Sequence, residues 1–296
     1  MAGVDVHTHL APDLDDSELT GPELLRRPDA LLAYLDSVGL DSALVSPPPP
    51  YYRQHLDVVA SRDWVARLND GVRRRCALQP RLRPVPYLPL EHPDVSVEVY
   101  AQVRAESASA TPIVTGAAGG QSARLDDPEF DILWAMLAAD GAVLLLHPGT
   151  SPDSRLAPHY QENLTGNPVE TTVAVSQLVF GQVATRHPGL RFVLVHCGGA
   201  VPMLAGRWRR GIATARPGLP DPAVDLDAEF RALWFDSLAH DPNALRLAVS
   251  VLGADRLVLG SDWPFPMGSS DPCADAAAVG LLDAAVTNSR TLVGAL

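Results

Sequence analysis

Val4-Asp5-Val6-His7-Thr8-His9 is the stretch that decides how the rest of the chain is read. Residues i and i+2 of a β-strand point to the same side, so a strand aims His7 and His9 at one point. Two imidazoles placed this way suit two ligands of one metal ion. The other ligands are then expected at the ends of further apolar strands.

Seven more apolar runs follow: Ser42–Val45, Val85–Leu90, Pro112–Val114, Ala142–Leu146, Phe192–Val195, Leu233–Phe235 and Leu257–Leu259. Between them lie helical patterns such as Asp29–Val38, Leu56–Arg74, Pro128–Ala139, Val169–Arg186 and Asn243–Leu252. Val38-Gly39, Asp140-Gly141, His187-Pro188-Gly189 and Leu252-Gly253 supply turn signals. Eight strands alternating with helices predict an α/β fold, a (β/α)8 TIM barrel in one domain over residues 1–296. An open doubly wound sheet is the alternative, but no Gly-rich phosphate turn follows the first strand. Two loops stand out at the expected catalytic face: the polar Ala11–Pro28 after the first strand and Gly149–Pro168 after the fifth. Pro47–Pro50 should stiffen the loop after the second.

In such barrels the chemistry sits where strands end. The fifth run ends in His147, the sixth in His196, the seventh in Asp236 with His240 beyond it, and the eighth in Asp262 followed by Trp263. Neutral imidazoles with one carboxylate suit Zn²⁺, Mn²⁺ or Fe²⁺. His7, His9, His147 and Asp262 form the expected ligand set. His196 is then the acid/base candidate, since an imidazole titrates near neutrality. Cys197 reads as a packed small side chain. His55, His92 and His187 read as solvated residues, whereas His159 sits in the long fifth loop and could line a pocket.

Composition narrows the function classes. The net charge is −12 over 296 residues, which disfavours nucleic acid or an anionic membrane as partner. All 23 basic residues are arginine, so Schiff-base chemistry and a lysine-bridged metal pair are excluded. Three cysteines without CxxC spacing argue against a disulfide framework. No apolar run approaches the length of a membrane span and no signal peptide is visible, so the cytoplasm is the expected compartment.

Asp5-Val6-His7-Thr8-His9, Leu146-His147-Pro148-Gly149, Val195-His196-Cys197-Gly198-Gly199 and Gly260-Ser261-Asp262-Trp263-Pro264-Phe265-Pro266 together resemble the amidohydrolase superfamily, in particular its metal-dependent decarboxylase branch. Leu125–Trp134, Asn167–Thr172 and Phe235–Pro242 are similar to that branch too. The resemblance implies a distorted barrel with one divalent ion, usually zinc, held by His7, His9, His147 and Asp262, with His196 and Asp262 catalytic. It also implies a homodimer in which an arginine, Arg216 or Arg210 here, reaches the partner's pocket. His240 and Trp263 join these arginines as substrate-binding candidates. The implied reaction is non-oxidative decarboxylation of a small unsaturated or aromatic carboxylic acid. Hydrolysis or hydration of a lactone, ester, amide or unsaturated acid on the same site is the alternative. Three features depart from the family pattern. The Ala11–Pro28 loop is short, and its Arg26 and Arg27 lack the family context. Asn163-Leu164 stands near the place of a family tryptophan. Cys197 replaces the first glycine after the catalytic histidine.

Overall fold

The computed structural model describes residues 3–15, 21–106, 111–222 and 224–294. Part of the expected first loop, residues 16–20, lies outside them. The strands are β1 (Val4–His9), β2 (Ser42–Ser46), β3 (Leu82–Pro84), β4 (Tyr87–Leu88), β5 (Ile113–Ala118), β6 (Val143–Pro148), β7 (Arg191–Leu194), β8 (Leu233–Asp236) and β9 (Leu257–Val258). All neighbours pair in parallel, in two arcs: β1-β2-β3 and β4 through β9 in sequence order. The helices are α1 (Pro28–Val38), α2 (Val58–Cys76), α3 (Pro93–Glu106), α4 (Asp131–Ala139), α5 (Asn167–Phe180), α6 (Val183–Arg186), α7 (Val201–Ala213), α8 (Leu226–Phe230), α9 (Pro242–Leu252), α10 (Pro272–Ala277) and α11 (Leu282–Val293).

Two expected elements are cut. The run Val85–Leu90 is not one strand, because Pro84, Pro86 and Pro89 carry no N–H for a ladder. The chain instead makes β3 and β4 on either side of Val85-Pro86. Val85 N–H donates to Val45 O at 2.8 Å and Pro86 O accepts from Thr115 N–H at 2.9 Å, so the break still bridges the two arcs. The helix expected over Val169–Arg186 stops at Phe180 and restarts at Val183, because Gln182 sits at φ 53°.

The second seam is closed by backbone bonds rather than a regular ladder. Val6 N–H donates to Leu259 O at 2.9 Å, Asp262 N–H to His7 O at 2.7 Å and His9 N–H to Trp263 O at 2.9 Å. The register of β1 against β2 shifts between Asp5 and Thr8, and the Asp5 carboxylate is fully buried there. It accepts from the His7 and Ser261 N–H groups, both at 3.1 Å. Burial pushes the Asp5 carboxyl up to about 6.

One apolar cluster takes side chains from all around the barrel, among them Val4, Val6, Leu44, Val143, Leu145, Val193 and Val258, with Leu292 and Val293 of α11. This is the filled interior. A larger cluster, including Leu31, Leu68, Trp134, Phe192 and Phe235, packs the helices on the outside of the strands. Capping fixes where helices enter: Asp57 caps α2 through the Val59 and Ala60 N–H groups, and Asp241 caps α9 with Pro242 in its first turn.

Candidate metal centre

The apolar interior ends where the strands do, and polar side chains converge there. His7 and His9 end β1, His147 lies at the end of β6, and His196 follows β7. The ring centroid of His7 lies 5.2, 5.4 and 5.1 Å from those of His9, His147 and His196. Asp262, four residues beyond β9, sits among them at φ 61°. Its Oδ1 lies 3.2 Å from His7 Nε2 and 3.1 Å from His9 Nε2, and its Oδ2 lies 3.5 Å from His196 Nε2.

These separations are short, yet His7 Nε2, His9 Nε2 and Asp262 Oδ1 are buried with no hydrogen-bond partner. The two nitrogens each lie within about one ligand–ligand spacing of that oxygen. Ligands about 2.0–2.1 Å from a tetrahedral ion stand roughly 3.3 Å apart, close to the observed spacing. His147 directs Nδ1 at Pro148 O, 3.1 Å away, which leaves Nε2 for the centre. One potential ligand atom each from His7, His147, His196 and Asp262 all lie within 4.8 Å of one another, so His196 too is near enough to join a ligand set. The donor chemistry and the orphaned atoms fit one divalent cation.

The electrostatics agree. Burial, reinforced by the neighbouring imidazoles, holds His147 well below the usual histidine range, and burial lowers His9, so both keep neutral nitrogens. Burial also opposes charge on His7, but Asp262 and Asp236 outweigh it and push His7 up to about 10. Asp262 is held well below the carboxylate range because His7, His196 and His9 overcome its burial. The centre therefore favours positive charge.

Asp236, fully buried at the end of β8, ties the parts together. Its Oδ2 accepts from His7 Nδ1 at 2.8 Å and from His196 N–H at 3.1 Å, and its Oδ1 from Cys197 N–H at 2.7 Å and Leu238 N–H at 3.2 Å. The bond to His7 fixes the tautomer that presents Nε2 to the centre. The bonds to His196 and Cys197 hold a run of four positive φ values: 54, 56, 76 and 59° from His196 to Gly199. Such backbone costs on the order of 1–3 kcal/mol per non-glycine residue and persists only where the surroundings impose it. Gly260 lets this carboxylate approach: a Cβ there would lie 2.7 Å from Asp236 Cβ and 3.0 Å from His7 Cβ.

A cavity of about 480 Å³ opens outward from His196 and Asp262. Asn163, Asn167, Cys197, Met203, His240 and Leu247 are among the residues that line it. Burial pushes the Cys197 thiol up, which agrees with a packed rather than nucleophilic role.

The expected ligands and His196 thus come together, and His240 reaches the cavity at φ 58°. Trp263, Arg216 and Arg210 lie outside the cavity of their own chain. Trp263 turns away and its ring lies 6.4 Å from that of Tyr34. Arg216 is exposed and folds back onto Thr214 O, and Arg210 is exposed on α7. Neither arginine lines the cavity: Arg210 is in the last turn of α7 and Arg216 lies beyond its end, while the cavity takes Pro202 and Met203 from its first turn. His159 is exposed and also outside the lining. His92 and His187 are not free in solvent: they meet Leu56 O at 2.9 Å and Asp131 Oδ1 at 3.0 Å. The sequence reading placed Asp236 at a strand end without giving it a role. It singled out Asn167 only as part of the Asn167–Thr172 likeness, without a role.

A barrel with convergent histidines and a carboxylate at its strand ends defines a metal-centred (β/α)8 enzyme. The chain belongs to the amidohydrolase family, whose profile matches residues 4–289. It is 27% identical over 249 residues to 2-amino-3-carboxymuconate-6-semialdehyde decarboxylase of Dictyostelium discoideum, covering 83% of this chain and 68% of that relative. It is 26% identical over 266 residues to γ-resorcylate decarboxylase of Rhodococcus jostii, covering 82% of this chain and 78% of the relative. The crystal structure of 2,6-dihydroxybenzoate decarboxylase from Rhizobium shares the fold: TM-score 0.78 at 22% identity, over 99% of this chain and 98% of that one.

Proposed function

We propose that the chain is a metal-dependent non-oxidative decarboxylase of a small unsaturated or aromatic carboxylic acid. The observation that carries this reading is the pairing of His196 with Asp262 at the boundary between buried donors and open cavity. His7, His9, His147 and Asp262 would hold one divalent ion, with zinc as first choice and manganese or iron as alternatives. Bound there, the ion supplies Lewis acidity toward a substrate oxygen.

His196 has the position to deliver a proton to the substrate carbon that loses carbon dioxide. The C–C bond breaks, its electron pair stays on the substrate's conjugated system, and the proton from His196 Nε2 neutralises that carbon. Asp262 Oδ2, 3.5 Å from Nε2, orients the imidazole and can relay the replacement proton. Leu238 and Pro168 line the cavity beside His196 with apolar surface. Names of relatives support the same reaction class, since two of those given above are decarboxylases of carboxylic acids.

The homodimer belongs to this proposal: exposed Arg216 and Arg210 are free to meet a second copy, and size-exclusion chromatography with light scattering tests it. The cytoplasm is the proposed compartment. Three unpaired cysteines support it, and among the described residues no helix is long and apolar enough to cross a membrane.

One observation favours the second reading, hydrolysis or hydration: among the described residues, no arginine lines the cavity to hold a carboxylate. Incubating the metal-loaded protein with aromatic and unsaturated acids separates the two. Released CO₂ supports decarboxylation; ring opening or water addition without CO₂ supports the alternative.

A further inference from the structure

A second hollow, a cleft of about 700 Å³, opens in the barrel wall and shares no lining residue with the strand-end cavity. It exists because the wall is broken there. Pro84 and Pro86 carry no N–H for a ladder, so β3 ends one arc and β4 begins the other. Before β4 begins, the free edge of β3 and the start of β5 are unpaired, and Arg83, Pro84 and Ile113 line the gap between them. The outer walls are α2 and α3. They are tied together by Arg62, whose Nε and Nη2 donate to Glu98 Oε2 and Oε1 at 2.7 and 2.9 Å.

Arg83 is the unusual member of this lining. It is half-buried, and it donates from Nη1 to Val293 O at 3.2 Å and from Nη2 to Thr111 O. A guanidinium has about five N–H donors, so most of its capacity is unused. Among the described residues no carboxylate pairs with it, and burial alone draws it below the usual guanidinium range. The neighbouring charges are committed elsewhere: Glu98 to Arg62, and Asp70 to Arg73 and Arg74. Glu106, exposed at the end of α3, has no ion pair among the described residues. A cation held in a partly dry site by carbonyl oxygens alone leaves a desolvation cost that a bound anion would relieve. The rest of the lining includes apolar Val72, Val99, Val103, Pro86 and Ile113. Apolar walls with one placed charged group are the usual form of a small-molecule site.

We infer that this cleft binds a small organic acid, a monocarboxylate whose charge meets Arg83 and whose hydrocarbon body lies along Val99, Val103 and Ile113. A guanidinium grips a carboxylate through two parallel N–H donors. Inorganic phosphate fits less well, because the apolar walls offer its other oxygens nothing and Glu98 and Glu106 repel a second negative charge. A neutral molecule of the same shape leaves Arg83 uncompensated. The site does not depend on the reaction proposed above, since no metal ligand lines it.

The test is calorimetry on the metal-loaded protein with hexanoate, hexanol and inorganic phosphate as probes. Hexanoate should bind at least about tenfold more tightly than either of the others, and R83Q should abolish that advantage. Q102E leaves Arg83 and its carbonyl contacts in place and adds a carboxylate to the wall, so it decides the matter where R83Q fails to fold. It should weaken hexanoate binding about threefold, whereas E106Q should strengthen it by a similar factor. The Arg83-dependent heat should survive removal of the metal. No binding of hexanoate, tighter binding of phosphate or hexanol, or an affinity unchanged in both R83Q and Q102E overturns the inference. Hexanoate binding that disappears with the metal and persists in R83Q places the acid in the strand-end cavity and overturns it too.

Discussion

The inner and outer walls of one cavity are built on opposite principles. His7, His9, His147 and Asp262 are 0–6% exposed, anchored on strand ends, and braced by Asp236 and Asp5. Leu164, Met203 and Leu247 at the rim are 52, 75 and 39% exposed, on a loop and two helices. The inner wall has almost no freedom to become something else without losing the barrel seam. The rim can exchange side chains at little cost to the fold, because exposed positions contribute little packing. The contrast teaches that reaction class is fixed by the strand ends and substrate by the loops.

The most damaging way to break the inner wall is to remove a ligand. H147A, or chelation of the metal, should drop CO₂ release below detection while far-UV circular dichroism stays native. H196A should lower kcat by roughly 10²–10⁴ and leave metal content unchanged in elemental analysis. Substantial activity in H196A would remove it from proton transfer. D236N attacks the brace instead of the ligands. Metal affinity, measured by competition with a chelating dye, should weaken about 10–100-fold, because His7 loses its orienting acceptor. G260A should destabilise the protein by about 1–3 kcal/mol in denaturant titration, as the new methyl meets Asp236 and His7.

The smallest effect lies farther out and is a matter of pH. Burial pushes Glu91 up to about 7, above its ordinary 4.5, beside the Tyr87 hydroxyl 3.4 Å away. A raised carboxyl binds its proton more tightly in the folded state. Its stabilising share is therefore complete below pH 4.5 and lost as pH rises through 7. E91Q should flatten that loss, so the stability difference between pH 5 and pH 8 should shrink by about 1–2 kcal/mol relative to the parent chain. An unchanged difference would mean that the carboxyl is solvated.

Much of the inner wall was legible in the sequence, because the signal is local: an apolar run followed by a histidine or aspartate marks a strand and its catalytic end together. His7, His9, His147, His196 and Asp262 all carry that signal. The broken third strand was legible in principle, since Pro84, Pro86 and Pro89 deny it a ladder, although the run of apolar residues masks them. The brace was not legible as a brace. Asp236 sits at a strand end like a ligand, and only the folded backbone of His196 and Cys197 shows where its oxygens point. Asn163, in the turn Glu162–Gly166, and Asn167, at the start of α5, follow a segment whose path no periodicity sets. Arg216 and Arg210 were expected at a partner's pocket, and both are exposed and outside the cavity of their own chain.

CO₂ release from a panel of aromatic and unsaturated acids, measured on metal-stripped protein and again after one equivalent of zinc or manganese, tests the central claim most directly. The account predicts no CO₂ from stripped protein and restoration by a single equivalent of one of these ions per chain. Full CO₂ release from the stripped protein would contradict it.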